Sequence, residues 1–158
     1  MIKVDEIKRL RAEADRLEAE LKAETWPCYG DPVFLINHEQ SEVRVDTFRN
    51  DDWQNQLMKF NKLFRAREEA QAELDCDLVV AELKACDGAR KFVKGERNWM
   101  LTLSLRNGAS VQEDYDANWA TGWKSIYFAT EIQRSAAIAK VGEDRILKAM
   151  RWSELGEV

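Results

Sequence analysis

The first 25 residues of the chain contain neither glycine nor proline, and their apolar side chains recur at alternating intervals of three and four residues. This spacing predicts one exposed helix over residues 2–25 and is typical of a coiled-coil seam. The pattern covers fewer than three heptads, so the helix needs a partner surface to be stable. Trp26-Pro27 ends it, because the residue before a proline avoids the helical region. The seam, named here the N-terminal stripe, consists of Ile7, Leu10, Ala14, Leu17 and Leu21.

The charges that flank the N-terminal stripe bear on its partner. Glu6, Glu13 and Glu20 occupy the g positions of the heptad, and an antiparallel pair of these helices would set them against each other. A parallel pair gains the contact Glu6–Arg11, although it also opposes Glu13 and Glu18. The sequence therefore favours a parallel homodimer over an antiparallel one. Docking of the stripe on the chain's own body, or on another partner, remains open.

From Trp26 onward, short apolar runs alternate with helical periodicity, which predicts an α+β body over residues 26–158 with small antiparallel sheets. One hairpin is predicted from strands 33–36 and 43–47. A second joins strands 99–105 and 111–115 through Asn107-Gly108, the strongest short hairpin signal. Short strands are predicted at 60–64 and 125–128, and helices at 66–89, 130–142 and 143–152. Thr130 and Gln133 form a capping box at the start of the second of these helices.

The body contains an internal repeat. Residues 33–45 align with residues 99–111, and the same offset places Trp53 on Trp119. Each half then reads as a hairpin, an acidic and aromatic loop, a short strand and a helix. We therefore expect two similar β-β-(β)-α halves, over residues 26–89 and 98–158, that follow the N-terminal helix.

The residues needed for catalysis or metal binding are scarce. His38 is the only histidine, and it falls in the predicted turn of the first hairpin. The three cysteines, Cys28, Cys76 and Cys86, are widely spaced and form no pair typical of a disulfide framework or a zinc site. No glycine-rich loop is present to hold a phosphate. The sequence predicts no catalytic residue, no metal site and no cofactor.

Composition and charge bear on location. The net charge is −5, no apolar run approaches the roughly 20 residues of a membrane span, and the N-terminus lacks the apolar core of a signal peptide. We expect a protein of the cytoplasm that contacts no membrane.

Two groups of residues are candidates for binding. Tryptophan in a polar loop is enriched at protein-binding hot spots, and acidic residues surround these tryptophans. The alternative interpretation is that the indole rings cover the open ends of a small core. The predicted partner-binding residues are Trp53, Glu113, Asp114, Asp116, Trp119 and Trp123.

The second group lies in the basic connector between the two halves. Its cations could contact nucleic-acid phosphates while Phe92 or Trp99 stacks on a base, although a solvated linker explains the same charges. The candidate nucleic-acid contacts are Arg90, Lys91, Lys94 and Arg97.

Short motifs spread over nearly the whole chain carry a resemblance to a known group. They are Trp26-Pro27 with Gly30-Asp31, residues 64–70 (FRAREEA), residues 126–128 (IYF) and residues 141–144 (VGED). Together they resemble small, uncharacterised phage and prophage proteins that share a charged N-terminal coil, a WP-x-x-GD strand entry, an F-x-T-x-E-E-A helix start and a Y-F…GED tail. The resemblance implies a phage-encoded accessory protein in the host cytoplasm and transfers no catalytic residue.

These observations lead to two expectations about function. The first is a non-enzymatic inhibitor that binds a host defence protein, for example a CRISPR-type complex, by presenting an acidic face to a basic groove. The second is a nucleic-acid-binding accessory protein for phage replication that uses the basic connector.

Overall fold

A computed structural model describes the backbone of residues 4–158 and the side chains of residues 6–21 and 25–158. Helices and small antiparallel sheets alternate along it, which confirms the predicted α+β class. The helices are α1 (Val4–Thr25), α2 (Asp52–Lys59), α3 (Arg67–Lys84), α4 (Glu131–Val141) and α5 (Glu143–Leu155). The strands are β1 (Pro32–Asn37), β2 (Glu42–Thr47), β3 (Ala89–Arg90), β4 (Asn98–Ser104), β5 (Ser110–Asp116) and β6 (Tyr127–Phe128).

The described chain divides into two compact units. Unit 1 comprises the residues up to Leu35 and Arg44–Arg65, and unit 2 comprises Ile36–Val43 and Ala66–Val158. The sequence analysis placed the whole of residues 26–89 in the first half, whereas α3 belongs to unit 2. The reason is the burial of its apolar side chains against the helices and sheet that follow it in the chain.

Unit 1 contains α1, α2 and a small core of Val33, Phe48 and Leu63. The N-terminal stripe on α1 is exposed along its length, so the described residues of the chain leave it uncovered.

Helix α2 was not predicted, because residues 50–53 were interpreted as a loop. Asp51 caps it, and its carboxylate accepts from the backbone N–H of Gln54 at 2.8 Å. The side chain of Gln54 is buried and is bonded at both ends. Its Oε1 accepts from the backbone N–H of Arg49 at 2.6 Å, and its Nε2 donates to the carbonyl of Thr47 at 2.9 Å.

Unit 2 contains a four-stranded sheet of order β3-β6-β4-β5, with β4 and β5 paired over their full length around the Asn107-Gly108 turn. Helices α3, α4 and α5 pack on one another and on the sheet. The core between them includes Leu83, Leu101, Phe128 and Ile146. Thr130 is the N-cap of α4, since its hydroxyl accepts from the backbone N–H of Gln133 at 3.2 Å, but the Gln133 side chain bonds the Thr130 hydroxyl rather than its backbone N–H, so the predicted capping box is only half formed.

The two halves share one pairing pattern. In the first, Phe64 forms an isolated antiparallel bridge with Phe34 of β1. In the second, Phe128 of β6 pairs with Trp99 of β4. Each hairpin is thus followed by a segment that returns to its first strand. The predicted strand at 60–64 is reduced to this single bridge, because α2 extends to Lys59.

Candidate functional site

The predicted acidic and aromatic loop lies at an edge of the sheet of unit 2. Strand β5 pairs only with β4 among the described strands, and the loop after it runs to a short left-handed turn at Trp123–Ser125. Two aromatic residues are open to solvent here, since Tyr115 is 50% exposed and Trp119 is 70% exposed. The acidic–aromatic surface is defined by Glu113, Asp114, Tyr115, Asp116 and Trp119.

Asp116 holds the backbone that carries Trp119. Its Oδ1 accepts from the backbone N–H of Asn118 at 2.7 Å and from that of Trp119 at 3.2 Å. These hydrogen bonds, with that from Asn118 the strongest, lower the pKa of the Asp116 carboxyl below its ordinary value. Trp119 in turn accepts at its carbonyl from the N–H of Thr121 at 3.1 Å. The exposed indole is therefore presented on a fixed turn.

A buried asparagine ties the same loop to the basic connector. Asn98 at the start of β4 is fully buried, and its Oδ1 accepts from the N–H of Val93 at 2.9 Å. Its Nδ2 lies 2.8 Å from the carbonyls of Val93 and Glu96 and 3.2 Å from the carbonyl of Asp116. Gly95 adds a backbone hydrogen bond to Ala117 at 2.8 Å. The acidic loop and the basic connector, treated as separate patches in the sequence analysis, are neighbours.

Glu113 is neutralised by a buried arginine. The Arg134 guanidinium forms an ion pair with Glu113 and donates to the carbonyl of Asp114 at 2.9 Å. It also lies over the ring of Trp99, with 5.0 Å between its carbon and the ring centroid. Part of the acidity predicted for partner binding therefore serves to hold α4 on the sheet.

Two other tryptophans were predicted to bind a partner. Trp123 is a core residue, only 5% exposed, and its Nε1 donates to the hydroxyl of Ser153 at 2.9 Å. Because its ring is buried, Trp123 is not part of a binding surface. Trp53 is 51% exposed on α2, in unit 1. The interpretation that indole rings cover the core thus holds for Trp123 and fails for Trp119.

The four cations of the connector do not act as one stripe. Arg90 donates to Glu96 at 2.8 Å and to the carbonyl of Arg97 at 3.3 Å. Arg97 lies over the ring of Tyr115 at 4.5 Å, against the acidic–aromatic surface. Lys91 and Lys94 are exposed.

The structure contains a cleft that the sequence analysis missed, and two of these cations line it together with a third. Arg90 and Lys91 line it with Lys84, the last residue of α3, and with Ser125 of the left-handed turn. No sequence pattern indicated this cleft, because Ser125 lies 41 positions after Lys84 and the two line one cleft only through the packing of unit 2. We name this feature the basic cleft.

The histidine and the three cysteines lie in different environments. Among the described residues, no group of three or more His, Cys, Asp or Glu residues is placed to hold a metal ion. His38 is exposed in the turn between β1 and β2. Cys28 is exposed, whereas Cys76 and Cys86 are buried, and burial raises the pKa of the Cys76 thiol.

Within the described residues, no helix combines the length and the apolar character needed to cross a membrane. In comparisons of sequence and fold, the chain matches no family model, no curated protein and no solved structure. The case for a function therefore rests on the acidic–aromatic surface, the basic connector and the N-terminal stripe.

Proposed function

We propose that this protein works without catalysis, by binding another protein through the acidic–aromatic surface. The observation that carries the proposal is the 70% exposure of Trp119 on a turn fixed by Asp116. A large aromatic side chain carried on backbone that is already fixed loses no backbone freedom on binding, which suits a hot-spot residue. Asp114 and Asp116 precede it on the same segment and add negative charge.

The charges favour a partner with a basic surface. Asp114 and Asp116 lie on the edge strand, and Asp116 keeps its negative charge to low pH because its pKa is lowered. A groove that binds nucleic acid is one such basic surface. The resemblance to phage accessory proteins therefore points to a host defence nuclease or a CRISPR-type complex as the target, with the acidic–aromatic surface competing against nucleic acid.

Affinity capture from the lysate of a host that carries such a defence system tests the proposal. The wild-type chain should retain a defence protein, and Trp119→Ala should lose it. Ile132→Ala is the matched control, because Ile132 is an 81% exposed apolar residue of the same unit on α4. Capture of chaperones alone, or equal capture by the Trp119→Ala variant, would argue against the proposal.

A second candidate function is binding of single-stranded nucleic acid. It is favoured by the stack in which Arg97 lies over Tyr115 and near Trp99, since aromatic rings beside a cation are the usual platform for unpaired bases. Lys91 and Lys94 on the same connector would contact phosphates. Fluorescence anisotropy with a labelled oligothymidylate should then give an affinity that falls steeply with salt. No binding at low salt would eliminate this candidate.

We also propose that the N-terminal stripe joins two copies of the chain in a parallel pair. The stripe is exposed. An ion pair within the described helix also reduces the repulsion expected between Glu13 of one copy and Glu18 of the other. Arg16 bonds Glu13 at 3.1 Å and lies 3.7 Å from Glu20, so the charge of Glu13 is partly balanced within its own helix before it meets Glu18. Two acidic–aromatic surfaces on one dimer would raise avidity for a repetitive target.

A further inference from the structure

The basic cleft of unit 2 has the size and charge of a small-ligand site. Its volume is about 470 Å³, within the range of roughly 300–1,000 Å³ that is usual for such sites. Among the described residues that line it, three are cations and none is acidic. The lining residues are Lys84, Ala89, Arg90, Lys91, Ser125 and Ile126.

The cations reach the cleft from separate elements. Lys84 ends α3, Arg90 lies on the edge strand β3, and Lys91 follows it. Glu96 balances Arg90 through a hydrogen bond of 2.8 Å. The Nε of Arg90 is buried and, among the described residues, has no hydrogen-bond partner. The two lysines are exposed, so the cleft keeps a positive charge.

Ser125, which lines the cleft, belongs to a strained turn. Lys124 and Ser125 have φ values of 51° and 55°, a left-handed conformation that is unfavourable for residues other than glycine. Backbone hydrogen bonds hold the turn, with the N–H of Ser125 at 3.0 Å from the carbonyl of Gly122. Conformations of this kind persist where the surrounding structure fixes them, and they concentrate at ligand sites. Here the turn places a serine among the residues that line the cleft.

We propose that the basic cleft binds the phosphate group of a small phosphorylated molecule. Lys84 and Lys91 would contact the phosphate oxygens as point charges, Ser125 would donate its hydroxyl, and Ala89 with Ile126 would offer an apolar wall to the rest of the ligand. A small ligand fits better than a nucleic-acid strand, because Lys94 and Arg97 do not line the cleft and so do not extend its charge into a track. The proposal is independent of the protein-binding function.

Isothermal titration calorimetry on the full chain at constant ionic strength tests this site. The probes are inorganic phosphate, AMP, adenosine and an oligothymidylate. We expect AMP and phosphate to bind and adenosine not to bind. The variants Lys84→Gln and Lys91→Gln should each weaken AMP binding by about tenfold, as expected for the loss of a charged contact. Lys94→Gln is the matched control, since it removes one charge from the same connector outside the cleft, and it should bind AMP as the wild type does.

Several results would overturn the assignment. They are the absence of heat with both phosphate and AMP, equal binding of AMP and adenosine, an equal loss in Lys94→Gln, or binding of the oligothymidylate alone. Thermal melts of each variant check folding. If a lysine variant melts at a lower temperature than the wild type, its loss of binding is not used as evidence. The test of the site is then the NMR shift of the Ser125 amide signal when AMP is added to the wild-type chain. A Ser125 signal that does not move would reject the site.

Discussion

The side-chain amide of Asn98 donates to the backbone carbonyl of Asp116 at 3.2 Å, and so a residue buried at the start of β4 fixes the turn that presents Trp119. The other bonds of Asn98 shape the connector, through Val93 and Glu96. One buried side chain thus joins the two segments that were singled out for binding. Asparagine suits this position, because its amide supplies both a donor and an acceptor without introducing charge.

Asn98→Ala should lower the free energy of unfolding by about 2–3 kcal/mol, since it leaves the N–H of Val93 and nearby carbonyls without partners. Urea denaturation followed by tryptophan fluorescence measures this change. Asn118→Ala is the control, because Asn118 is exposed and contributes its backbone to the turn. It should change stability by less than about 0.5 kcal/mol. Equal effects of the two variants would contradict the role given to Asn98.

Asp116 should titrate at unusually low pH. The N–H groups of Asn118 and Trp119 lower its folded-state pKa. The ionised carboxylate therefore holds the turn at any pH above the ordinary carboxyl pKa of about 3.9, and the turn loosens only as the pH falls through the lower, folded-state value. In NMR spectra, the amide signals of Asn118 and Trp119 should shift with a midpoint below that ordinary value. In Asp116→Asn the midpoint should vanish. A midpoint at or above about 3.9 would show that the turn is not held by the carboxylate.

Much of the fold of unit 2 could be predicted, because its signals are local. Asn107-Gly108 marked the hairpin, and Thr130 with Gln133 marked the start of α4. Helix α2 was not predicted, because it is short and its N-cap, Asp51, lies in a polar run that is also typical of a loop. Helix α3 ends at Lys84 rather than near residue 89, where the chain instead forms β3 to pair with β6.

The candidate sites were less predictable, since tertiary contacts decide which tryptophans and cations are available. Trp119 and Trp123 stand four residues apart in one polar loop, yet only Trp123 is buried. Glu113 forms an ion pair with Arg134, which lies 21 positions further along the chain. No local sequence pattern indicates the burial of Trp123 or the ion pair of Glu113, because each depends on where α4 and α5 pack against the sheet.

The three thiols should differ sharply in reactivity. Cys28 is exposed, whereas Cys76 and Cys86 are buried and the pKa of Cys76 is raised. Since the thiolate is the reactive form, a thiol reagent at mildly alkaline pH should modify Cys28 rapidly and the other two only on unfolding. Ellman's reagent with and without denaturant measures this. In Cys28→Ser the rapid phase should disappear, and its persistence would show that a buried cysteine is accessible.

The ion pair between Glu82 on α3 and Arg145 on α5 should stabilise unit 2 in a pH-dependent way. Arg145 donates to both carboxylate oxygens, at 2.8 and 2.9 Å, and this lowers the pKa of Glu82. Both side chains are about half exposed, so the pair is worth only about 0.5 kcal/mol. The contribution is present above the unfolded pKa of about 4.3 and is lost as the pH falls through the folded value. Glu82→Gln should therefore destabilise the protein at neutral pH and have no effect at the lowest pH at which it folds. A destabilisation that is independent of pH would point to packing instead.

Removing the apolar character of the N-terminal stripe should separate the two copies of the chain. Leu10→Asp with Leu17→Asp places charges in the seam, where each would be buried against the partner helix. Light scattering should give twice the chain mass for the wild type and the chain mass for this variant. Ala12→Asp with Ala19→Asp is the matched control, because it adds the same charges at the same spacing on the opposite, solvent-facing side of α1. That control should remain dimeric. A monomeric wild type, or a control that dissociates as fully as the seam variant, would refute the parallel pair.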